Sequence, residues 1–525
     1  MDRNWFISGI CVLALAAAVG CSSTQHAAEQ LVVIAPFDVP TSAPRPEADE
    51  PIERFVVRWN AWVDSVPEDQ RVGDAVERAK DRMNEKLGQI PDFYKGYDAF
   101  EVMGLAKPGG YFWEEAGRIY ESIAPELDLM RELVQREAVA IHIDLDPDEE
   151  DVFSLFNSYS WSVNDAASVL RYRVRYLVLA GRVQESVGDI LAIFDTERLI
   201  RESPNLLSWL VAGGSRDTAL NMLRKALEID PDAYTDEQLA EFQDRLADWV
   251  DEDLTPVIKA EEYFAILRLR DLYSESIDGK LSEEATQMII EEFATAAMFR
   301  QIFDLPFVFG MEKGTKRSKI EFAPLDQQIA MLKEYNTALI ADLDAYPPTV
   351  STSYLDQLED DVRINIDAVS FIPALMLTGL NEILPSVNIL KSIEARATII
   401  VLAIHRHRLA TGDWPKSLED ISAEHLRIDP IDMHTGDPFG YTVMNDRPRL
   451  WSGGPDGDDD DGTSVKPTMK KSSIEPYDEY EVDLVRSWFT LDQWDALSEE
   501  DQAKYDGDWI LYPPKWEDRW GHEEY

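Results

Sequence analysis

A helical spacing of apolar residues continues from residue 54 to about residue 390 and restricts the possible folds more than any other pattern in the sequence. Apolar residues recur there every three or four positions, which places them on one face of a helix. Short connections between such segments make neighbouring helices antiparallel. We therefore predict a mainly α fold, with stacked helical hairpins over residues 53–390 and no sheet in that region.

Two helix ends can be located from the residues alone. Gly181 directly follows a helical stripe and is placed to act as a C-cap. Thr235 precedes Asp236 and has Gln238 three positions later, the pattern of an N-terminal capping box. The stripe before Gly181 consists of Val169, Leu170, Val174, Leu177 and Val178.

A partial match to a tetratricopeptide repeat lies just before the predicted capping box. Its second-helix positions are occupied by Ala219, Leu223, Ala226 and Pro231. The same spacing is not repeated 34 residues earlier, where Glu185 stands at a position that needs a small residue. We interpret this segment as a generic helical hairpin rather than as part of a repeat array.

Charge and cysteine content exclude several classes of protein. The 525 residues carry 50 Lys and Arg against 100 Asp and Glu, a formal charge of −50, which repels phosphate backbones. We expect no nucleic-acid partner. Cys11 and Cys21 are the only cysteines, so the body beyond residue 21 has neither a disulfide nor a cysteine metal site.

The N-terminus has the pattern of an export signal. An apolar run over residues 5–19 would span about 22 Å as a helix, short of the ~30 Å hydrocarbon core. The junction Gly20-Cys21-Ser22 resembles a bacterial lipoprotein signal, which implies removal of residues 1–20 and lipidation of Cys21. Ser22 implies sorting to the periplasmic face of the outer membrane. Ordinary signal cleavage and an uncleaved anchor are the alternatives.

Residues 21–52 have the composition of a flexible tether. They are rich in Ala, Pro, Thr, Ser and Glu, and the prolines prevent a continuous helix. An apolar run at residues 31–34 leaves open the alternative that part of this tether docks on the body as an edge strand.

Residues 391–470 carry a series of motifs that follows a long helix. The series resembles the C-terminal half of the type II secretion major pseudopilins, which implies a small α/β module of one long helix and short antiparallel strands. The sheet is expected only here. The motifs are Gly412-Asp413-Trp414-Pro415, Ser417-Leu418, Asp432, Gly436, Pro438-Phe439, Tyr441-Thr442-Val443 and Ser452-Gly454-Asp456-Gly457.

The chain as a whole resembles a family of envelope lipoproteins of planctomycete-type bacteria. That resemblance covers about 170–273, the pseudopilin-like module, and a terminal segment at 507–513. It implies architecture and supplies no activity. The remaining tail, residues 471–525, is acidic and rich in Trp, so we expect it to wrap the body; a partner surface or carbohydrate stacking is the alternative.

An acidic loop follows the last motif of the module. Five carboxylates lie within residues 456–461, and their mutual repulsion would be relieved by a hard divalent cation. The matching loop of the pseudopilins holds calcium. We predict that Asp456, Asp458 and Asp460 bind calcium, with a solvated acidic loop as the alternative.

Other charged groups are given plainer interpretations. His405 and His407 are about 200° apart around a helix axis, so one metal cannot bind both; with Arg406 and Arg408 they form a polar face. A further cationic series is interpreted as a solvated helix flank or a row of ion pairs rather than an anion site: Arg171, Arg173 and Arg175.

Two classes of function remain. The first is a non-enzymatic, lipid-anchored envelope protein whose body and module make contacts with an envelope protein partner. The second is a periplasmic hydrolase, directed at glycans, that uses carboxylate acid–base chemistry. Because the chain lacks a phosphate loop, a dinucleotide fingerprint, Gly-x-Ser-x-Gly and His-Glu-x-x-His, we favour the first. Two carboxylates about 5 to 10 Å apart in a groove with aromatic walls would favour the second.

Overall fold

The computed structural model of the protein is mostly helical. Helices account for 71% of the described residues, and a three-stranded antiparallel sheet completes the fold. The prediction of a mainly α chain with a small sheet is confirmed. The residues that the structure describes are 52–67, 71–89, 99–136, 152–201, 206–250, 252–273, 281–282, 322–344, 384–433, 435–454 and 509–513.

The described elements follow one another in this order along the chain: α1 (Ile52–Ser65), α2 (Gly73–Gln89), α3 (Ala99–Leu105), α4 (Trp113–Ser122), α5 (Ala124–Val134), α6 (Val152–Leu179), α7 (Val183–Arg201), α8 (Leu206–Ile229), α9 (Asp236–Ala247), α10 (Thr255–Leu272), α11 (Leu325–Asp344), α12 (Leu384–Thr411), a 3₁₀ turn (Leu418–Asp420), α13 (Ala423–Leu426), β1 (Gly440–Met444), β2 (Arg447–Ser452) and β3 (Trp509–Tyr512).

Helices α6, α7 and α8 pack on one another and form the centre of the body. The predicted stripe of α6 is buried from Val169 to Val178. Gly181 ends the helix with a φ of +70°, a conformation that favours glycine, as predicted for a C-cap. Helices α2 to α5 cover this centre on one side, and α10 pairs with α11 around smaller apolar clusters.

Helix α9 begins at the capping box predicted from the residues. The Thr235 hydroxyl accepts a hydrogen bond from the backbone N–H of Gln238, whose side chain in turn accepts one from the Thr235 N–H. The segment before it differs from prediction, because α8 continues without a turn from residue 206 to residue 229. The hairpin expected there is wrong.

Helix α12 is the most buried element of the fold. It lies against α8, α9, β2 and β3, and side chains from Ile399 to Ile404 are out of solvent on every face. A helix that is apolar all round is stable only inside a protein. The chain passes residue 391, where the pseudopilin-like module was predicted to begin, as part of this one helix.

The sheet has the order β1-β2-β3 with antiparallel pairing throughout. A two-residue turn joins β1 to β2, and both Asn445 and Asp446 have positive φ, as the twist of a tight hairpin requires. The third strand was missed, since the sheet was expected only within 391–470. It comes from the tail, where Leu511 and Tyr512 are buried against the core.

The helices within the described part of the chain are all too short or too polar to cross a bilayer.

Candidate functional site

The residues selected from the sequence for lipidation and metal binding fall outside the described residues. These are Cys21, Asp456, Asp458 and Asp460. In the ranges that the structure does describe, no group of three or more His, Cys, Asp or Glu side chains is arranged to hold a metal ion. Calcium binding by the acidic loop therefore stays a prediction.

The approach to the acidic loop is held by a buried carboxylate. Asp432 accepts hydrogen bonds through Oδ2 from the Ser452 hydroxyl at 2.6 Å and from the Gly453 backbone N–H at 3.0 Å. The Ser452 hydroxyl also accepts from the N–H of Gly454 at 3.2 Å. These bonds fix the end of β2, from which the loop departs.

The most unusual chemistry of the described residues lies deeper in the body. Five charged side chains from three helices and one connection meet there, and we call them the inner ionic cluster. Helix α7 contributes Glu197 and Arg201, α8 contributes Arg216, the connection before α10 contributes Glu252, and α12 contributes Lys391.

Two members of the cluster, Arg201 and Glu252, are joined by a hydrogen bond of ordinary length. The Nη1 of Arg201 donates to Glu252 Oε1 at 2.9 Å, and the indole N–H of Trp209 donates to the other oxygen of Glu252 at 3.1 Å. Both oxygens of Glu252 are thus satisfied by groups on α7 and α8. Hydrogen bonds of this kind to a carboxylate are among the stronger ones in proteins.

Glu197 is the poorly bonded carboxylate of the cluster. Its side chain is 1% exposed, and its Oε1 lies 3.7 Å from Arg216 and 3.9 Å from Arg201, beyond hydrogen-bond distance. Its Oε2 has no hydrogen-bond partner among the described residues. Burial raises the pKa of Glu197 to about 7, since the two arginines offset only part of the desolvation.

Arg216 is the more poorly bonded of the two arginines in the cluster, since Arg201 has only its Nε unpartnered among the described residues. The side chain of Arg216 is also 1% exposed, and its guanidinium lies 5.1 Å from the Trp249 ring centroid. Its Nε and Nη2 have no hydrogen-bond partner among the described residues. The carboxylates nearest to it are Glu197 and its neighbour Asp217, each at 3.7 Å.

Lys391 reaches the cluster over a glycine. A Cβ at Gly213 would overlap the Lys391 ammonium, so only glycine leaves room for this side chain to cross α8. The Nζ donates to the backbone oxygen of Trp209 at 3.3 Å and lies 3.6 Å from the centroid of its ring. Burial, followed by the nearby Arg216, lowers the pKa of Lys391 to about 7.

A second buried network shows how the same residue types look when they are satisfied. Asp189 on α7 is fully buried and accepts hydrogen bonds from Arg131 on α5 and from Arg173 on α6, the latter at 3.1 Å to each oxygen. We call this the Asp189 network. Of the interpretations offered for the α6 arginines, Arg173 therefore fits the row of ion pairs.

The polar face predicted for the end of α12 is wrong for its first two members. His405 is buried, and its ring nitrogens lie 3.1 Å from the Pro231 oxygen and 3.1 Å from the Tyr512 hydroxyl. Burial lowers its pKa to about 4, so the imidazole is neutral. Arg406 is also buried and binds Asp236. These contacts join α12 to the helical body and to β3.

The signal for the inner ionic cluster was present in the sequence. The apolar stripe of α7 includes Ile190 and Phe194, and the same spacing continues to Glu197 and Arg201. Charged residues on the apolar face of a helix are buried ones. Nothing in the sequence indicates that Arg216 and Lys391 would join them, because that requires the packing of α8 and α12.

The cluster can exchange protons near neutral pH, because one acid and one base in it have pKa values of about 7. It also holds a guanidinium edge that can bind an anion. Comparison of the chain with family models, with characterised proteins and with solved structures found no match to any of them.

Proposed function

We propose that this chain is a non-enzymatic, lipid-anchored protein of the cell envelope that binds other envelope proteins. Cys21 carries the lipid and holds the mature chain at the periplasmic face of the outer membrane. The observation that carries the proposal is α12, which belongs both to the helical body and to the module with the sheet. The two parts therefore present a single surface to a partner.

Polar contacts across α12 support this view. Arg406 binds Asp236 of α9 at 2.7 Å, and Gln243 of α9 donates to the backbone oxygens of Ile399 and His425 at 3.0 and 2.9 Å. Arg224 of α8 pairs with α12 and donates to the Leu511 oxygen of β3 at 3.2 Å. Bonds in several directions hold the module in one orientation on the body.

Lipidation is tested by labelling cells with a palmitate analogue. Cys21→Ser should abolish labelling and move the protein from the membrane fraction to the periplasmic fraction. Cys11→Ser, the other cysteine of the chain, is the matched control and should leave both unchanged. Unchanged labelling of Cys21→Ser would overturn the anchoring part of the proposal.

Protein contact is tested by placing a photo-crosslinking amino acid on the surface in living cells. Tyr111 on the body is 72% exposed, and Met444 on the module is 51% exposed. Crosslinks from both positions to the same envelope protein are expected. Glu237 on the exposed side of α9 is the control position. Failure of both apolar positions to crosslink would contradict a contact role for these surfaces.

Calcium belongs to the same proposal. Asp456, Asp458 and Asp460 would share one ion, and the Asp432 bonds hold the start of their loop. Free calcium at a hundredfold excess over the dissociation constant stabilises the fold by about 2.7 kcal/mol. The full chain should melt higher in calcium than in chelator, and Asp458→Ala with Asp460→Ala should remove the difference. Glu419→Ala removes an exposed acid of the same module and should leave the difference unchanged. If the unaltered chain melts at the same temperature in calcium and in chelator, the loop is a solvated one.

The second candidate is a glycan-directed periplasmic hydrolase, and one observation favours it. Glu197 and Glu252 are both ion-pair neighbours of Arg201; the Trp209 indole bonds Glu252, and the Trp249 ring lies beside Arg201. A carboxyl with a pKa of about 7, such as Glu197, suits a general acid. However, the side chains of Glu197 and Glu252 are 1% and 12% exposed, so substrate cannot reach them in this conformation. Hydrolysis of dye-labelled peptidoglycan by the unaltered chain, abolished by Glu197→Gln, would reverse our preference.

A further inference from the structure

The guanidinium of Arg216 is buried, yet two of its three nitrogens donate no hydrogen bond to a described residue. Its Nε and Nη2 have no hydrogen-bond partner among the described residues. A buried donor without a partner is costly, and native proteins contain few of them. Some group that is not part of the described chain is therefore expected at these two nitrogens.

The two unpartnered nitrogens share one edge of the guanidinium. The Nε–H and one Nη2–H bond of arginine point in the same direction, side by side in the plane of the group. This edge binds a carboxylate through two parallel hydrogen bonds. The Oδ1 of Asp217 is 3.7 Å from Nε, which is beyond hydrogen-bond distance, and it has no hydrogen-bond partner of its own among the described residues. The Oε1 of Glu197 is 3.7 Å from the other terminal nitrogen, Nη1, so neither carboxylate makes the two parallel bonds to this edge.

A second cation faces the same region. Gly213 lies three positions before Arg216 on α8, and residues three apart share a helix face. The Lys391 ammonium crosses α8 at that glycine, and Arg216 is the charged group that lowers the pKa of Lys391 most. The Lys391 ammonium has three hydrogens, and its backbone acceptor is the Trp209 oxygen.

We propose that the edge of Arg216, together with Lys391, is a binding site for the carboxylate of a small monoanion. The inference does not depend on the envelope function proposed above. The two oxygens of a planar carboxylate match the two parallel N–H donors of the edge. The single negative charge of the ligand matches the net charge around the edge. The neighbouring Asp217 is counted with the cluster here, because it faces Arg216. With Glu197 protonated, the three cations Arg201, Arg216 and Lys391 are opposed by Glu252 and Asp217, which leaves one positive charge for the ligand to neutralise.

Binding should depend on pH, because each element around the edge supplies a charged group. Glu197 and Arg201 come from α7, Asp217 from α8, Glu252 from the connection before α10 and Lys391 from α12. Below about pH 7, Glu197 is neutral and Lys391 is charged, which favours an anion. Above it, Glu197 is ionised and Lys391 is neutral, so the anion is repelled.

The test uses acetate as the probe and the full chain in detergent, with titration calorimetry at constant ionic strength in chloride. At pH 6 we expect one acetate per chain, with a dissociation constant no tighter than about 40 µM, the limit for a ligand of its size. Inorganic phosphate should bind more weakly, because it is tetrahedral and larger. Phosphate binding as tightly as acetate would overturn the assignment to a carboxylate.

Arg216→Lys keeps the charge but removes the two-donor edge, and it should weaken acetate binding at least about tenfold. Arg245→Lys is the matched control on α9, where Arg245 already binds Asp195 at 2.7 Å, and it should leave binding unchanged. Equal affinity of the Arg216→Lys variant and the unaltered chain would overturn the proposal.

Two measurements on the unaltered chain keep the proposal testable if the Arg216 variant does not fold. Acetate affinity should fall at least about tenfold between pH 6 and pH 8; equal affinities would overturn the proposal. A crystal structure grown in acetate should show the ligand on the Nε and Nη2 edge. Asp217 or water on that edge in its place would overturn it.

Discussion

The Asp189 network and the inner ionic cluster both involve α7, yet they differ in how their charges are bonded. Asp189 is fully buried, and both of its oxygens accept hydrogen bonds from arginines of neighbouring helices. Glu197 is just as buried, but its nearest arginine nitrogens are 3.7 and 3.9 Å away. Burial is the same in the two places, and hydrogen bonding is not.

The difference separates a structural role from a binding role. Buried charges that satisfy one another hold helices together, and removing one partner is strongly destabilising. Buried charges that lie beyond hydrogen-bond distance of one another keep unpaired donors and acceptors, to which a ligand can bind. Five substitutions test this distinction, and they are given in order of decreasing effect on stability.

Asp189→Ala should cause the largest loss of stability. It leaves Arg173 without the carboxylate that it binds and leaves Arg131 with only the exposed Asp128, which costs about 3–5 kcal/mol. Urea unfolding at pH 7, followed by circular dichroism, measures the change. A loss below about 1 kcal/mol would remove the contrast between the two networks.

Glu197→Gln should stabilise the protein at high pH. The folded pKa of about 7 lies above the ordinary 4.5, so the folded state holds its proton more tightly than the unfolded state. Stability therefore falls as pH rises from 4.5 to 7 and stays lower above that. The free energy of unfolding of the variant should exceed that of the unaltered chain by up to about 3 kcal/mol at pH 8 and by little at pH 4.5. Urea unfolding at both pH values measures the difference. A loss of stability at pH 8 would mean that Glu197 is well bonded.

Lys391→Met should show the opposite pH dependence. The folded pKa of about 7 lies below the ordinary 10.5, so the charged form is disfavoured in the fold. That cost is full below pH 7 and disappears as pH rises to 10.5. The shift alone corresponds to about 5 kcal/mol, but Met also loses the hydrogen bond to the Trp209 oxygen and the contact with its ring. The variant should therefore be more stable by about 2 kcal/mol at pH 6 without acetate, and by less at pH 9. Thermal melting of the variant and the unaltered chain in chloride buffers measures both gains. Equal gains in stability at pH 6 and pH 9 would contradict the lowered pKa of Lys391.

A pair of conservative substitutions gives the smallest effect and the closest comparison. Arg173→Lys loses the bonds from one guanidinium to both Asp189 oxygens and should cost about 1 kcal/mol. Arg216→Lys has no carboxylate hydrogen bond to lose and should change stability by less than about 0.5 kcal/mol without ligand. Urea unfolding of the two variants in parallel measures both, and the reverse order would contradict our assignment of roles.

Local patterns predicted a large part of the fold. The α6 stripe, the Gly181 C-cap and the Thr235 capping box depend on residues within one or two turns, and all are present in the structure. The third strand was missed because β3 has four residues and pairs with β2 across more than fifty residues of chain. Such a pairing leaves no periodic signal.

The helical class, two helix ends and the acidic character can be read from the residues alone, since they follow from residue spacing and from charge counts. The meeting of Glu197, Arg216 and Lys391 depends on packing, because they lie on three different helices of the chain. The burial of His405 likewise depends on packing, here against Tyr512 of the tail. Whether a charged side chain is buried and hydrogen-bonded depends on the residues around it, and tertiary packing determines which residues those are.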